Sequence, residues 1–179
     1  MQWADESVHK TASYAELDAG NRMLAEYIAS TATKTESILD ICCNQGRLLL
    51  DLRRRGFTDL YGFDIMGPAI EAFQRNPDYD PRHIHVQHCL AQDYFRDKPE
   101  GAFDWAITHG ATIELIHPEF DIFSELARTV RKGMVLVLKE DGFRYPRFYR
   151  LLHRMNGFEI VKTIQIEDSA LIHSVKRSD

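Results

Sequence analysis

The sequence predicts an α/β fold, in which helices cover both faces of a mostly parallel sheet and an antiparallel hairpin closes the chain. Short apolar runs alternate with segments of helical periodicity, as in parallel strands joined by crossover helices. The last two apolar runs, 158–166 and 170–175, are joined only by residues 167–169. So short a link indicates antiparallel neighbours, because a parallel pair needs a crossover of about a dozen residues or more.

The composition bounds the size, charge and location of the protein. Its 179 residues, 44% of them hydrophobic, predict a single domain over 1–179, with an N-terminal helical cap at 1–34 and a core at 35–179. The net charge of -5 argues against a broad nucleic-acid surface. Three cysteines fit a reducing compartment, and no apolar stretch approaches the ~20 residues that span a bilayer. We therefore expect a cytoplasmic protein that does not cross a membrane.

The first predicted element is a helix from about residue 14 to 30. Ser13 and Glu16 form a capping-box pattern, and apolar residues then recur at helical spacing. The polar residues 31–36 connect this helix to the central strand.

A strand, a tight turn and a helix follow, and the rest of the chain is organised around them. The run 38–43 is apolar except for Asp40, which indicates a buried parallel strand. Asn44 and Gly46 break this run, and a helix begins at Arg47. The start of such a helix leaves unpaired N–H groups beside the end of the strand, as in the first part of a nucleotide-binding unit.

The remaining elements continue the alternation. Further strands are predicted at 60–65, 83–90, 103–108 and 134–138. Helices are predicted at about 68–75, 118–133 and 148–155, and a polar segment at 91–101. The second of these helices is expected to end at Arg131, Lys132 and Gly133, because basic residues followed by a glycine are typical of helix ends.

Four features of these elements resemble the class I S-adenosylmethionine (SAM)-dependent methyltransferases. Residues 38–46 match the first motif of that family, an apolar strand with an acid and a glycine-rich turn. Asp64 stands where the family has an acid after the second strand, and residues 103–108 match its Phe-Asp plus apolar run. The closing hairpin matches the family's antiparallel strand. The resemblance covers roughly 36–179 and implies a Rossmann-like doubly wound sheet in three α/β/α layers.

The resemblance also implies SAM as cofactor, S-adenosylhomocysteine (SAH) as product, and a set of binding residues. Asp64 is expected to bind the ribose hydroxyls and Asp40 the ammonium of the methionine tail. A buried structural acid is the alternative for Asp40. Gly46 and its neighbours are expected to hold the tail carboxylate at the start of the helix.

Two of the family's three turn glycines are replaced here, by Cys42 and Asn44. Asn44 is expected to tolerate a positive φ, whereas the Cβ of Cys42 is expected to narrow the methionine pocket. After the third strand the family often has an acid near the adenine, and here that region, which begins with Cys89 and Leu90, reads Cys-Leu-Ala-Gln-Asp over 89–93. Contact there would come from backbone groups or from apolar surface, including Ile65, with plain core packing as the alternative.

The segment after the fourth strand carries His109, Glu114 and His117 as possible catalytic residues. His109 is expected to contact substrate or cofactor, and His117 to act as a base, with structural polar roles as the alternative.

Trp3 and Tyr14 are expected near the opening if the N-terminal helix covers the cofactor, with a simple packing helix as the alternative. Glu140 follows the fifth strand. The rim residues are expected either to bind an anionic or sugar-like acceptor or to form a helix start with a solvated basic face; they are Arg144, Tyr145, Arg147, Phe148 and Tyr149.

Two readings of the function stay open from the sequence. A small-molecule methyltransferase fits the acidic composition and the short chain. A module that binds SAM or SAH without catalysis would fit the altered turn. The histidines at 83, 85 and 88 with Cys89 suggest a zinc site only weakly, because His83 and His85 are expected on one face of the strand and His88 on the other, and the sequence has no matched Cys/His pair elsewhere.

Overall fold

A seven-stranded sheet forms the centre of the computed structural model, which describes residues 17–110, 113–138 and 148–177. Its spatial order is β3-β2-β1-β4-β5-β7-β6. The strands β1 to β5 pair in parallel, and β7 is antiparallel to both β5 and β6. The strands are β1 Ile38–Ile41, β2 Leu60–Asp64, β3 Ile84–His88, β4 Phe103–His109, β5 Val130–Leu138, β6 Phe158–Ile166 and β7 Ser169–Lys176.

Helices cover both faces of this sheet and form two separate apolar clusters with it. The helices are α1 Ala19–Thr31, α2 Arg47–Arg54, α3 Gly67–Gln74, α4 Ala91–Arg96, α5 Ile122–Thr129 and α6 Tyr149–Met155, with a 3₁₀ turn at Ile113–Leu115. Leu24, Leu49 and Phe73 place α1, α2 and α3 on one face. Phe95 and Phe123 place α4 and α5 on the other, where α6 also packs. The predicted mostly parallel, three-layer α/β/α fold with its closing hairpin is confirmed.

No helix in the described ranges is both long and apolar enough to cross a bilayer. The longest of them, α1, has 13 residues. It begins at Ala19, where the side chain of Asp18 accepts a hydrogen bond from the backbone N–H of Asn21 at 2.7 Å. The predicted start near residue 14 is wrong, since Asp18 caps the helix, and the capping-box residues themselves lie outside the described ranges.

One short helix and one helix end also differ from the sequence prediction. The polar segment 91–101 contains α4, whose Tyr94 and Phe95 are buried against Phe63. With six residues, α4 is too short to show a helical period.

The helix predicted to run to Gly133 ends at Thr129, and the residues from Val130 onward belong to β5. Val130 pairs with Phe103 along β4, so the strand ladder begins four residues earlier than expected. Arg131 and Lys132 therefore belong to a strand and not to a helix end. Arg131 forms an ion pair with Asp104 at 3.0 Å, and Lys132 forms one with Glu36.

Candidate functional site

The candidate site lies where the strand order reverses, between β1 and β4. In an open parallel sheet the carboxyl ends of the strands on either side of such a reversal border a crevice that binds ligands. The turn 42–46 follows β1, Asp64 ends β2, and His109 ends β4. The fold therefore brings three separately predicted parts of the sequence to one edge.

The turn after β1 has an unusual backbone, with positive φ at every second residue. Cys42 has φ +57°, Asn44 +50° and Gly46 +65°. The side-chain Oδ1 of Asn44 accepts the N–H of Gln45 at 2.7 Å, which stabilises the left-handed residue locally. The positive φ expected of Asn44 is confirmed, and Cys42 also adopts the conformation that favours glycine.

Gly46 is the one position of this turn where a side chain does not fit. A Cβ built on it would lie 1.9 Å from the ring of Phe73, which is fully buried in α3. The carbonyl of Gly46 accepts the N–H of Leu50 at 2.8 Å, so the glycine is also the first backbone acceptor of α2. The start of α2 is therefore fixed directly beside the end of β1.

The carboxylate of Asp64 joins the turn after β1 to the end of β2. It is buried; its Oδ2 accepts the N–H of Asn44, and its Oδ1 accepts the N–H of Met66, each at 2.8 Å. Burial raises the pKa of Asp64, and backbone hydrogen bonds from Met66, Asn44 and Ile65 together with the charge of His88 oppose that rise. Each oxygen keeps a further lone pair that a hydroxyl group can use.

Asp40 is the second buried acid of the crevice. Only 4% of the residue is exposed, and burial followed by the nearby charge of Asp64 raises the pKa of its carboxyl well above the usual value. Within the described ranges, Asp40 and Asp64 form no ion pair with a basic side chain. The crevice therefore holds two buried acids without a direct ion pair to any described residue.

The residues predicted to contact adenine lie next to Asp64. The N–H of Cys89 donates to the carbonyl of Asp64 at 3.0 Å, and both Cys89 and Ile65 are half-buried. Leu90 is 41% exposed although it is a large apolar residue. Core packing therefore does not account for Leu90, and its open apolar surface suits a flat aromatic ligand.

The three predicted catalytic residues occupy different environments. The ring of His109 lies against Gly20 of α1, and its Nε2 is 3.8 Å from Oδ1 of Asp18. Burial lowers the pKa of His109, Asp18 opposes this, and Arg47 adds to the lowering, so the imidazole is neutral near pH 7.

The other two predicted residues follow in the segment after β4. Glu114 is fully buried in the 3₁₀ turn, and His117 lies in an exposed loop where its Nδ1 accepts the N–H of Glu119 at 3.3 Å.

The remaining residues singled out in the sequence are His88 and those predicted at the rim and the opening of the site. His88, which the sequence suggested only as a weak zinc ligand, lies 3.0 Å from the carbonyl of Ile65 through its Nε2. Among the residues with described positions, no cluster of histidine, cysteine and acids fits a metal ion. Phe148 is 83% exposed and Tyr149 is buried. The other predicted rim and opening residues, Trp3, Tyr14, Glu140, Arg144, Tyr145 and Arg147, lie outside the described ranges.

Comparison with known protein families shows which family the chain belongs to. The model of a family described as a methyltransferase domain matches residues 38–133, more than half of the chain. The chain belongs to this methyltransferase family. The resemblance drawn from the sequence motifs is therefore confirmed. A search of curated proteins finds no match.

Solved structures with the same fold include several SAM-dependent methyltransferases. A TehB-like SAM-dependent methyltransferase from Corynebacterium glutamicum has a TM-score of 0.70 at 18% identity and covers 94% of both chains. Magnesium protoporphyrin IX methyltransferase from Synechocystis, with bound SAM, has a TM-score of 0.67 at 18% identity over 88% of this chain and 77% of that one. The 1,6-didemethyltoxoflavin-N1-methyltransferase from Burkholderia thailandensis, with bound SAH, has a TM-score of 0.69 at 15% identity. The match covers 90% of this chain and 79% of that one. The TM-scores show a shared fold, and at these low identities the likeness is one of fold alone.

Proposed function

We propose that the protein transfers a methyl group from SAM to a small-molecule acceptor and releases SAH. The observation that carries this proposal is the pair of buried acids, Asp40 and Asp64, at the carboxyl ends of neighbouring strands. SAM brings both a sulfonium and an ammonium into such a crevice, so its positive charges offset the two carboxylates.

The residues of the crevice fit the parts of SAM one by one. Asp64 would accept the two ribose hydroxyls through its remaining lone pairs, and Asp40 would face the ammonium. The N-terminus of α2, after Gly46, would hold the tail carboxylate, with Cys42 and Asn44 lining the turn. Ile65, Cys89 and Leu90 would contact the adenine. The bound cofactor supplies an electrophilic methyl group on sulfur.

The acceptor side of the site is proposed to use alignment first and a base only where the nucleophile must lose a proton. A neutral imidazole can accept a proton, and His109 ends β4 beside the crevice whereas His117 is exposed in a loop, which favours His109 as that base. Glu114 is buried close in sequence to both and stays a proposed member of the site.

A small molecule is the acceptor class that the charge favours, because a net charge of -5 disfavours binding of nucleic acid. Two structures with the same fold are named for small acceptors, a magnesium porphyrin and a didemethylated toxoflavin. The cytoplasmic location and the division into a cap and a core stay predictions.

The second candidate function is a module that binds SAM or SAH without catalysis. It is motivated by Cys42, whose side chain stands at a left-handed position where the family has glycine. Calorimetry with SAH tests cofactor binding, which both functions require. Incubation of the protein and SAM with panels of small molecules, RNA and proteins then measures SAH release. Turnover with a small molecule supports the proposed enzyme, and binding without any turnover supports the module.

Replacing Asp64 with asparagine is expected to weaken SAH binding about 10–100-fold, because the ribose hydroxyls lose a charged acceptor worth roughly 1.5–3 kcal/mol. Calorimetry measures the change. Asp104→Asn is the matched control, since Asp104 is another largely buried acid but lies at the amino end of β4. Equal SAH affinity in wild type and the Asp64 variant would remove Asp64 from the ribose site.

His109→Gln is expected to lower kcat by about 100-fold or more for an acceptor that must be deprotonated, the size typical of a lost general base. His117→Ala is expected to cause a much smaller loss, since that side chain is 58% exposed in a loop. Steady-state rates at saturating SAM measure both. A larger loss of kcat in the His117 variant than in the His109 variant would indicate that His117 is the base.

A further inference from the structure

His88 contacts both ends of a short loop that leads out of the candidate site. It is the last residue of β3 and pairs with Asp64 along β2. Its Nε2 is 3.0 Å from the carbonyl oxygen of Ile65. Because a carbonyl oxygen only accepts, Nε2 carries the hydrogen. A Cβ on Gly67 would lie 2.9 Å from Cε1 of the same ring, so the imidazole also lies against the Gly67 backbone.

The residue between these two contacts is Met66, which binds the functional acid. Its N–H donates to Oδ1 of Asp64 at 2.8 Å. The direction of that N–H depends on the backbone of the 65–67 loop, by which we mean Ile65, Met66 and the first residue of α3, Gly67. The other carboxylate oxygen is already held by the N–H of Asn44. The imidazole of His88 therefore contacts the loop that carries one of the backbone donors orienting the carboxylate.

We propose that His88 is a positioning residue that holds the 65–67 loop, so that Asp64 is oriented for the ribose hydroxyls before the cofactor arrives. The inference rests on the proposed function, because it concerns the affinity of the same site. A group that is already ordered in the free protein loses less conformational freedom when its ligand binds, and this raises affinity. His88 acts through Ile65, Met66 and Gly67, and it needs no contact with the reacting atoms.

The chain offers a matched control on the neighbouring turn. His83, just before β3, places Nδ1 3.0 Å from the carbonyl of Thr58. This is the same type of hydrogen bond between the same two chain segments, but it lies at the amino end of the sheet, away from the crevice. Both alanine variants remove one imidazole–carbonyl hydrogen bond, and His83→Ala also removes a 3.9 Å contact of His83 with Asp80. Only His88→Ala is expected to alter cofactor binding.

Calorimetry with SAH is expected to show a five- to tenfold weaker affinity for His88→Ala, about the effect of one lost hydrogen bond, and less than a twofold change for His83→Ala. His88→Gln, whose amide N–H can reach the Ile65 carbonyl, should recover most of the affinity. Gly67→Ala, which keeps His88 but displaces its ring, should weaken binding in the same direction. For turnover, KM for SAM should rise while kcat at saturation stays within twofold.

Hydrogen exchange of the Met66 amide in the free protein tests the loop without any ligand. We expect faster exchange in His88→Ala and a wild-type rate in His83→Ala. Equal SAH affinities for the two alanine variants would overturn the inference. Should wild-type protein fail to bind SAH, the proposed function fails. The exchange rate of the Met66 amide then tests the role of His88 in the loop separately. Faster exchange in His88→Ala supports the inference that His88 holds the 65–67 loop, and an unchanged rate overturns that inference.

Discussion

Replacing Gly46 with alanine is expected to lower the free energy of unfolding by about 2–4 kcal/mol and to abolish measurable SAH binding. The new methyl group would overlap the ring of Phe73, 1.9 Å away, in a fully buried position. The left-handed backbone at φ +65° adds a separate conformational cost. Relief of the overlap would move the turn or the start of α2, and the proposed carboxylate contacts would move with it. Urea unfolding and calorimetry measure the two effects.

Two further variants separate the steric part of this effect from the backbone part. Gly157→Ala has φ +75°, with nothing within 4 Å of the added Cβ, so it should cost only about 1 kcal/mol. In the double variant with Phe73→Leu, the alanine at 46 should cost at least about 1 kcal/mol less than in the wild-type background. Equal losses at 46 and 157 would show that Phe73 does not restrict the turn.

The parts of the fold that were predictable are those whose physical signal is local. The strand β6 is found with the predicted bounds, because alternating apolar residues and a short hairpin link leave few alternatives. The end of α5 was missed, because Arg131, Lys132 and Gly133 look like a helix end while their actual role depends on distant partners. Arg131 binds Asp104, 27 residues earlier in the chain, and periodicity carries no information about such a pair.

The candidate site shows the same division between local and distant information. Asp40, Asp64 and Gly46 could be found because a motif fixes their spacing, and the strand order then brings them together. The role of His88 could not be found, since it depends on a bond across two neighbouring strands to the carbonyl of Ile65. Likewise, the contact of His109 with Gly20 joins residues 89 positions apart in sequence.

The effect of Asp40 on stability distinguishes a ligand-binding role of this acid from a structural one. A structural acid is normally paired, and its pKa is then lowered in the folded state. Asp40 shows the opposite: burial, and secondarily Asp64, raise its pKa well above the usual value. Its carboxylate therefore opposes folding of the free protein, which is expected at a residue kept for binding.

The pH dependence follows from the direction of this shift. Between the unfolded pKa of about 3.9 and the higher folded value, the folded state binds more protons than the unfolded state. The contribution of Asp40 to stability therefore falls as the pH rises through that window, and the penalty is complete above the folded pKa. Burial also raises the pKa of Asp64, which acts in the same direction.

Asp40→Asn is accordingly expected to make the free protein more stable at pH 7, because it removes a buried carboxyl whose pKa is raised in the folded state. The gain should shrink as the pH approaches 4. The same variant should bind SAM about tenfold or more weakly, because its ammonium loses a charged partner. Thermal unfolding from pH 4 to 8 and calorimetry measure the two opposite effects.

Asp104→Asn provides the control of opposite sign. Burial raises the pKa of Asp104, but hydrogen bonds from Arg131 and Ser37 outweigh it, and the net pKa lies below the usual value. Its stabilising contribution is present at pH 7 and is lost as the pH falls below about 4, so this variant should be less stable at pH 7 with unchanged SAM affinity. If Asp40→Asn were also less stable at pH 7, Asp40 would be a structural acid and the cation-binding crevice would lose its main support.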